Sequence, residues 1–176
     1  MEFIATPLEG AVHIKIQRLE DERGFFARSY CSGEFAAQGL CSHWPQCNIS
    51  FNHSKGTLRG MHYQAEPHGE VKLVRCTAGA IYDVIIDLRP ESPTFKQHFG
   101  ITLSAENHSM LYIPEGFAHG FLTLEADTEV FYMMGSSYVP DAARTVRWDD
   151  PAFSIAWPGE VCVIADKDQD VPCFTE

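Results

Sequence analysis

Positive charge is scarce in this sequence: thirteen Lys and Arg stand against 24 Asp and Glu over 176 residues, for a formal charge of -11. That sign excludes generic binding to nucleic acid or to an anionic membrane surface, so a phosphate-bearing ligand has to be met by a few local cations. No apolar run approaches the roughly 20 residues of a membrane helix. No charged start leads into an apolar segment with a small-residue cleavage site, and a cytoplasmic location is expected. The cysteines, Cys31, Cys41, Cys47, Cys76, Cys162 and Cys173, form neither a C-x-x-C pair nor a zinc-type Cys/His spacing. Without an export signal they read as free thiols rather than disulfides. Internal repeats, low-complexity runs and composition shifts are also missing, so residues 1–176 read as one domain, long enough to bury a core.

What is present is a folded-globule composition, 45% hydrophobic, 12% aromatic and 21% charged. Residues 1–18, with Val12, Ile14 and Ile16 on one face, predict an opening strand. Arg23 and Arg28 bracket Phe25 and Phe26, a pattern that suits either pinning of a base or sugar between ring and guanidinium or an edge strand with apolar packing. Ser32 to Leu40 predicts one short helix, with a cap-like Ser32 and a stop at Gly39. From His43 to Phe51, alternation puts Gln46, Asn48 and Ser50 on one face, toward solvent or a polar pocket. Further strands are predicted at 71–76, 80–88, 99–103, 110–113, 120–124 and 128–133, between Gly, Pro and Asn turns. On the strand at 80–88, Asp83 shares a face with Ile81 and Ile85, and a carboxylate in that interior needs a partner. Many short strands with little helix describe a β-sandwich or jelly roll. The Pro-bearing, aromatic tail from Trp148 onward is expected to be irregular and to wrap back over the barrel.

The organising stretch is Gly56-Thr57-Leu58-Arg59-Gly60-Met61-His62-Tyr63-Gln64, a strand holding a fixed cation, glycines and a titratable imidazole. A His beside an Arg suggests proton transfer on an anionic ligand, although a lone strand His is more often a structural hydrogen-bonder. Parity adds a condition. Arg59 and His62 point to opposite faces of a regular strand, so they line one pocket only if Gly60 permits a bulge or the strand begins late.

A second His, His119, follows the Pro114-Glu115-Gly116 turn, and with Gly56 and His62 it resembles the two-part cupin signature of a small β-barrel. Gln64 stands where a metal-binding cupin usually has its second His, which leaves His62, His119 and Glu70 as the remaining candidate ligands and disfavours a metal. A closer resemblance covers nearly the whole chain. Arg23-Gly24-Phe25-Phe26, Gln46 to Ser50, Gly56 to Gln64, Lys72 to Arg75, Ser92-Pro93-Thr94-Phe95, Pro114 to Phe121 and Trp148-Asp149-Asp150-Pro151 occur in the order, and with similar gaps, seen in dTDP-4-dehydrorhamnose 3,5-epimerases. The resemblance implies an all-β jelly roll, a double-stranded β-helix of the cupin-like barrel type, without a cofactor or metal. It further implies a homodimer that epimerises a dTDP-linked 4-keto-6-deoxy sugar beside its ketone, in deoxysugar biosynthesis.

By the same resemblance His62 is the base, Asp168 its charged partner, Tyr132 the acid on the opposite face and Lys72 the cation beside the enolate. His119 lines the pocket, with Asp83 as its carboxylate partner. Arg23 and Arg59 bind the diphosphate or nucleotide, Gln46 and Asn48 the nucleotide side, Tyr138 stacks on the base, and Lys167 stands at the rim. Arg23 and Phe26 are expected to reach the neighbouring subunit's pocket. The chain departs from the family at Arg28 and Ala143, where many members carry Glu; both fall on the nucleotide side. Two rival readings remain: a metal-dependent cupin enzyme using His62 and His119, and a nucleotide-sugar-binding module without catalysis.

Overall fold

The structure, a computed structural model, describes residues 1–175. The chain runs through β1 (Glu2–Ala5), β2 (Val12–Lys15), β3 (Arg18–Asp21), β4 (Gly24–Ala27), α1 (Ser32–Ala37), β5 (Gln46–Asn52), β6 (Thr57–Gln64), β7 (Lys72–Ala78), β8 (Ala80–Asp87) and β9 (His98–Ser104). It continues through β10 (Met110–Ile113), β11 (Phe117–Thr123), β12 (Thr128–Met134), a 3-10 turn (Pro140–Ala142), β13 (Ala143–Thr145), β14 (Val163–Ile164) and α2 (Asp166–Gln169). One sheet has the order β1-β2-β10-β7-β12-β5; the other has β13-β6-β11-β8-β9, with β14 added in parallel to β6. The arrangement is a cupin-like jelly roll. The hairpin of β3 and β4 forms a separate two-stranded sheet.

Period-two alternation sorts the side chains into layers. Between the two large sheets lie Val74, Ile81, Ile85, Leu103, Leu111, Phe121 and Val130. On the outer face of the first sheet, Ile14, Leu73, Met110 and Tyr112 are covered by Phe35 of α1, with Trp44 and Tyr30 packed beside it. The outer face of the second sheet presents Met61, Val84, Ile86 and Ala118, and the aromatic tail covers them with Phe153, Trp157 and Phe174. Asp150, buried in the Trp148-Asp149-Asp150-Pro151 stretch, accepts the Phe174 and Ala152 backbone N–H groups and so ties the tail down. In Ser92-Pro93-Thr94-Phe95, the Ser92 and Thr94 hydroxyls donate to the fully buried Asp87 carboxylate, which also pairs with Arg89 at 2.7 Å. All six cysteines are free.

Several boundaries differ from the sequence reading. Residues 1–18 are not one strand: Gly10, at φ 85, turns β1 back onto β2. Helix α1 begins with Ser32 inside it, Cys31 occupies the N-cap without a side-chain cap bond, and the helix ends at Ala37. β11 starts at Phe117, earlier than expected. Among the described residues there are two short helices, not one. The second, α2, lies in the tail that was expected to be irregular, because its single turn is held by tertiary contacts of Asp168 rather than by an apolar face that periodicity can reveal. Among the described residues, no helix is long and apolar enough to cross a membrane.

Candidate active site

The register of β6 against β11 answers the parity question. His62 pairs with His119 and Arg59 with Phe121, so Gly60 and Met61 together oppose Gly120 alone. This is a β-bulge, and it turns Arg59 and His62 onto the same inner wall. Gly60 has φ 116, a conformation open to glycine, and a Cβ there would meet the Gly120 Cα at 2.6 Å.

The inner wall faces a cavity of about 220 Å³ lined by Ser50, Arg59, His62, Lys72, His119, Phe121, Tyr132 and Lys167. His62 and His119 come from the second sheet, Lys72, Tyr132 and Ser50 from the first, and Lys167 from α2. A wider outer compartment of about 500 Å³ shares His62, Lys72, Tyr132 and Lys167 with it and adds Gln46, Asn48, Tyr138, Ala143 and Arg144.

Each imidazole is held by a carboxylate. His62 Nε2 donates to Asp168 Oδ1 at 2.7 Å; the His62 side chain is 36% exposed and that of Asp168 only 2%. This bond leaves Nδ1 of His62 as the ring atom free to accept a proton. Burial alone would push the Asp168 carboxyl up, but the His62 hydrogen bond and charge, the Gly60 N–H and Lys167 outweigh it and hold the group below the usual carboxylate range. His119 Nε2 likewise donates to the fully buried Asp83 at 2.7 Å, the partner that the alternation of β8 demands.

Lys72 is buried, ion-paired to Glu70 at 2.9 Å and bonded to the His62 carbonyl at 3.2 Å. Glu70 therefore serves Lys72 and does not join His62 and His119 as a third ligand. Burial raises the Tyr132 phenol above its ordinary value; Arg59 pulls it down and Glu70 pushes it up, with a net rise. The phenol thus stays protonated at neutral pH. Arg59 is fixed through neutral partners, Nε to Asn52 Oδ1 at 2.7 Å and Nη2 to the Phe51 carbonyl at 3.3 Å. Its charge stays available to a ligand anion, a local cation in an acidic protein.

Of the residues singled out in the sequence, His62, Tyr132, Asp168, Lys72, Arg59, His119 and Lys167 converge at the inner compartment, and Gln46, Asn48 and Tyr138 at the outer one. Arg23 and Phe26 do not join them within one chain: the Arg23 side chain is 84% exposed on the β3–β4 turn, and Phe26 is 70% exposed on β4. The sequence reading missed Asn52, which continues the inward alternation of Gln46, Asn48 and Ser50 by one step but reads locally as a turn residue. Gln64, singled out there only as a departure from the metal-binding pattern, accepts the Val139 N–H and anchors the loop carrying Tyr138.

Comparison with known proteins gives a consistent assignment. The family model described as dTDP-4-dehydrorhamnose 3,5-epimerase matches residues 5–176. The dTDP-4-dehydrorhamnose 3,5-epimerase of Shigella flexneri is 41% identical over 169 residues, covering 96% of this chain and 93% of its relative. The enzyme of the same name from Bacillus anthracis, solved with TDP and PPi bound, superposes with a TM-score of 0.94 at 40% identity, covering 98% and 99% of the two chains. A Legionella pneumophila dTDP-6-deoxy-D-glucose-3,5-epimerase in complex with dTDP-4-keto-L-rhamnose gives a TM-score of 0.89 at 37% identity, covering 95% and 89%. The chain belongs to the dTDP-4-dehydrorhamnose 3,5-epimerase family and is an isomerase of sugar nucleotides.

Proposed function

We propose that residues 1–176 act as one domain that epimerises a dTDP-linked 4-keto-6-deoxyhexose at carbons beside its ketone, as a step in dTDP-rhamnose biosynthesis. The observation that carries the reading is a carboxylate-held imidazole on one sheet facing the Tyr132 phenol on the other across a sugar-sized cavity. A proton next to a ketone becomes removable when a base lies on one face and a cation stabilises the enolate oxygen. His62 Nδ1 takes that proton, Asp168 stabilises the resulting imidazolium, and the Lys72 ammonium stands at the enolate oxygen. The Tyr132 phenol returns a proton to the opposite face, which inverts the carbon. His119, held by Asp83, lines the sugar. Arg59 and Lys167 take the diphosphate, and Gln46, Asn48 and Tyr138 take the nucleotide in the outer compartment.

The same proposal makes the working unit a homodimer. β5 is an edge strand whose outward Ile49 and Phe51 are exposed, and the β3–β4 hairpin exposes Leu19, Phe25 and Phe26. An unpaired edge and an unburied apolar arm are liabilities that a second copy removes. Docking of that kind brings Arg23 and Phe26 to the neighbour's nucleotide compartment. The free thiols fit a reducing cytoplasm.

The decisive experiment is an NMR time course with the keto sugar in deuterated water. Deuterium is expected at carbons flanking the ketone with the wild type and not with His62→Ala. Exchange that survives His62→Ala would overturn the assignment of the base.

A further inference from the structure

The inward face of β5 carries Gln46, Asn48, Ser50 and Asn52 in alternation, and three of these four are committed. Gln46 Nε2 donates to Asn48 at 3.3 Å while its Oε1 accepts the Tyr138 N–H. Asn52 holds Arg59 and donates to the Ser50 and Thr128 carbonyls. The Ser50 hydroxyl alone has no partner. Among the described residues, four buried side-chain polar atoms lack a hydrogen bond: Trp44 Nε1, Arg75 Nε, Asp83 Oδ2 and Ser50 Oγ. Of these residues, Ser50 is the one that lines the inner compartment, and it is 9% exposed.

A buried hydroxyl without a partner weakens the free protein, and such groups are uncommon in native structures. Local violations of this kind concentrate where a ligand completes the bonding. We infer that Ser50 binds the substrate's sugar ring and is a specificity-determining contact for its carbon-2 hydroxyl, an inference that rests on the epimerase reading above. Ser50 stands one inward position from Asn52, which aims Arg59, the proposed diphosphate cation. The ring hydroxyl nearest the diphosphate is the one on carbon 2, next to the anomeric carbon. Carbon 2 also lies outside the pair flanking the ketone, so a bond to its hydroxyl can persist through the reaction and hold the ring while the reacting carbons invert. A site that hydrogen-bonds a hydroxyl rejects the analogue lacking it, because the protein group is then left unpaired.

The test compares wild type with Ser50→Ala on the dTDP-linked keto sugar and on its 2-deoxy and 3-deoxy counterparts, reading deuterium incorporation, calorimetric affinity for each sugar nucleotide and for dTDP alone, and Tm. Ser50→Ala is expected to lose tenfold or more in kcat/KM and in affinity for the parent. It should keep dTDP affinity within twofold, keep or raise Tm, and match the wild type within twofold on the 2-deoxy substrate while still differing on the 3-deoxy one. A loss below twofold on the parent, an equal loss on all three sugars, or convergence on the 3-deoxy substrate overturns the inference. A wild type that exchanges no deuterium overturns the epimerase reading instead, and the affinity comparison still decides the role of Ser50.

Discussion

Gly60 and Gly120 face each other across β6 and β11 with no room for a side chain on either: a Cβ on Gly60 falls 2.6 Å from the Gly120 Cα, and a Cβ on Gly120 falls 2.6 Å from the Arg59 carbonyl oxygen and the Met61 Sδ. The contact sustains the bulge that sets Arg59 and His62 on one wall. Gly120→Ala is therefore expected to destabilise the protein by about 2 kcal/mol or more. Activity should fall further than the folded fraction does, since the bulge carries His62, the proposed base. Thermal denaturation alongside deuterium exchange at a temperature where the variant is folded checks both parts.

Removal of the proposed acid–base groups separates their roles. His62→Ala is expected to abolish exchange, and Asp168→Asn to lower kcat by about 100- to 10,000-fold, because the ring loses the charge that stabilises its protonated form. Tyr132→Phe is expected to retain proton abstraction while losing inversion at one or more carbons. Product stereochemistry, followed by NMR, distinguishes that result from a general loss of binding.

Acid stability should report the His62–Asp168 pair. The Asp168 carboxyl is held below 3.8 in the folded chain, so its contribution is present above that value and is lost as pH falls through the folded one. The Tm gap between wild type and Asp168→Asn is expected to be widest near neutrality and to close as the pH falls below 3.8. A gap that is constant across this range contradicts the assignment.

Asp87 offers a second acid-sensitive anchor, away from the cavity. Burial pushes its carboxyl up, yet Arg89, Ser92, Thr94 and the Arg89 backbone N–H together bring it down from 3.8 to about 2. The sign is that of any depressed carboxylate: stabilising above 3.8 and lost toward pH 2. At ~1.4 kcal/mol per unit the contribution is about 2 kcal/mol at neutral pH. Denaturant unfolding of Asp87→Asn should show a loss of that order at pH 7, with catalytic constants of the folded variant unchanged.

The proposed sharing of the site between two subunits predicts complementation. His62→Ala and Arg23→Ala are each expected to be impaired as homodimers. When they are mixed under exchange of subunits, half of the dimers are hybrids with one intact pocket, restoring roughly a quarter of wild-type sites. Absence of recovery in verified hybrids would show that Arg23 does not act across the interface.

Much of this site was legible residue by residue. Alternation on β8 put Asp83 inside with Ile81 and Ile85, where it meets His119. Alternation on β5 put Gln46, Asn48 and Ser50 on one polar face, which the structure turns toward the cavity. Even the conflict between Arg59 and His62 was visible, and Gly60 was the residue able to relieve it. The Ser92 to Phe95 and Trp148 to Pro151 stretches, part of the family likeness, hold scaffold carboxylates, Asp87 and Asp150. A motif quoted as a string does not distinguish such anchoring from substrate contact.

By itself the sequence determined the strand faces, the turns and the set of ionisable groups, because these follow from a period of two and from local backbone chemistry. Which groups meet is beyond periodicity: the family resemblance paired Asp168 with His62 and Asp83 with His119, and tertiary structure brings each pair together. Asp168 reaches His62 across 106 residues, by way of β14 beside β6 and a one-turn helix, and Glu70 pairs with Lys72 rather than with either imidazole. The physical reason is that a strand's periodicity carries its phase only as far as the next bulge or turn. Contact between faces depends on long-range pairing, and at Gly60 and Gly120 on the closest approach of two backbones.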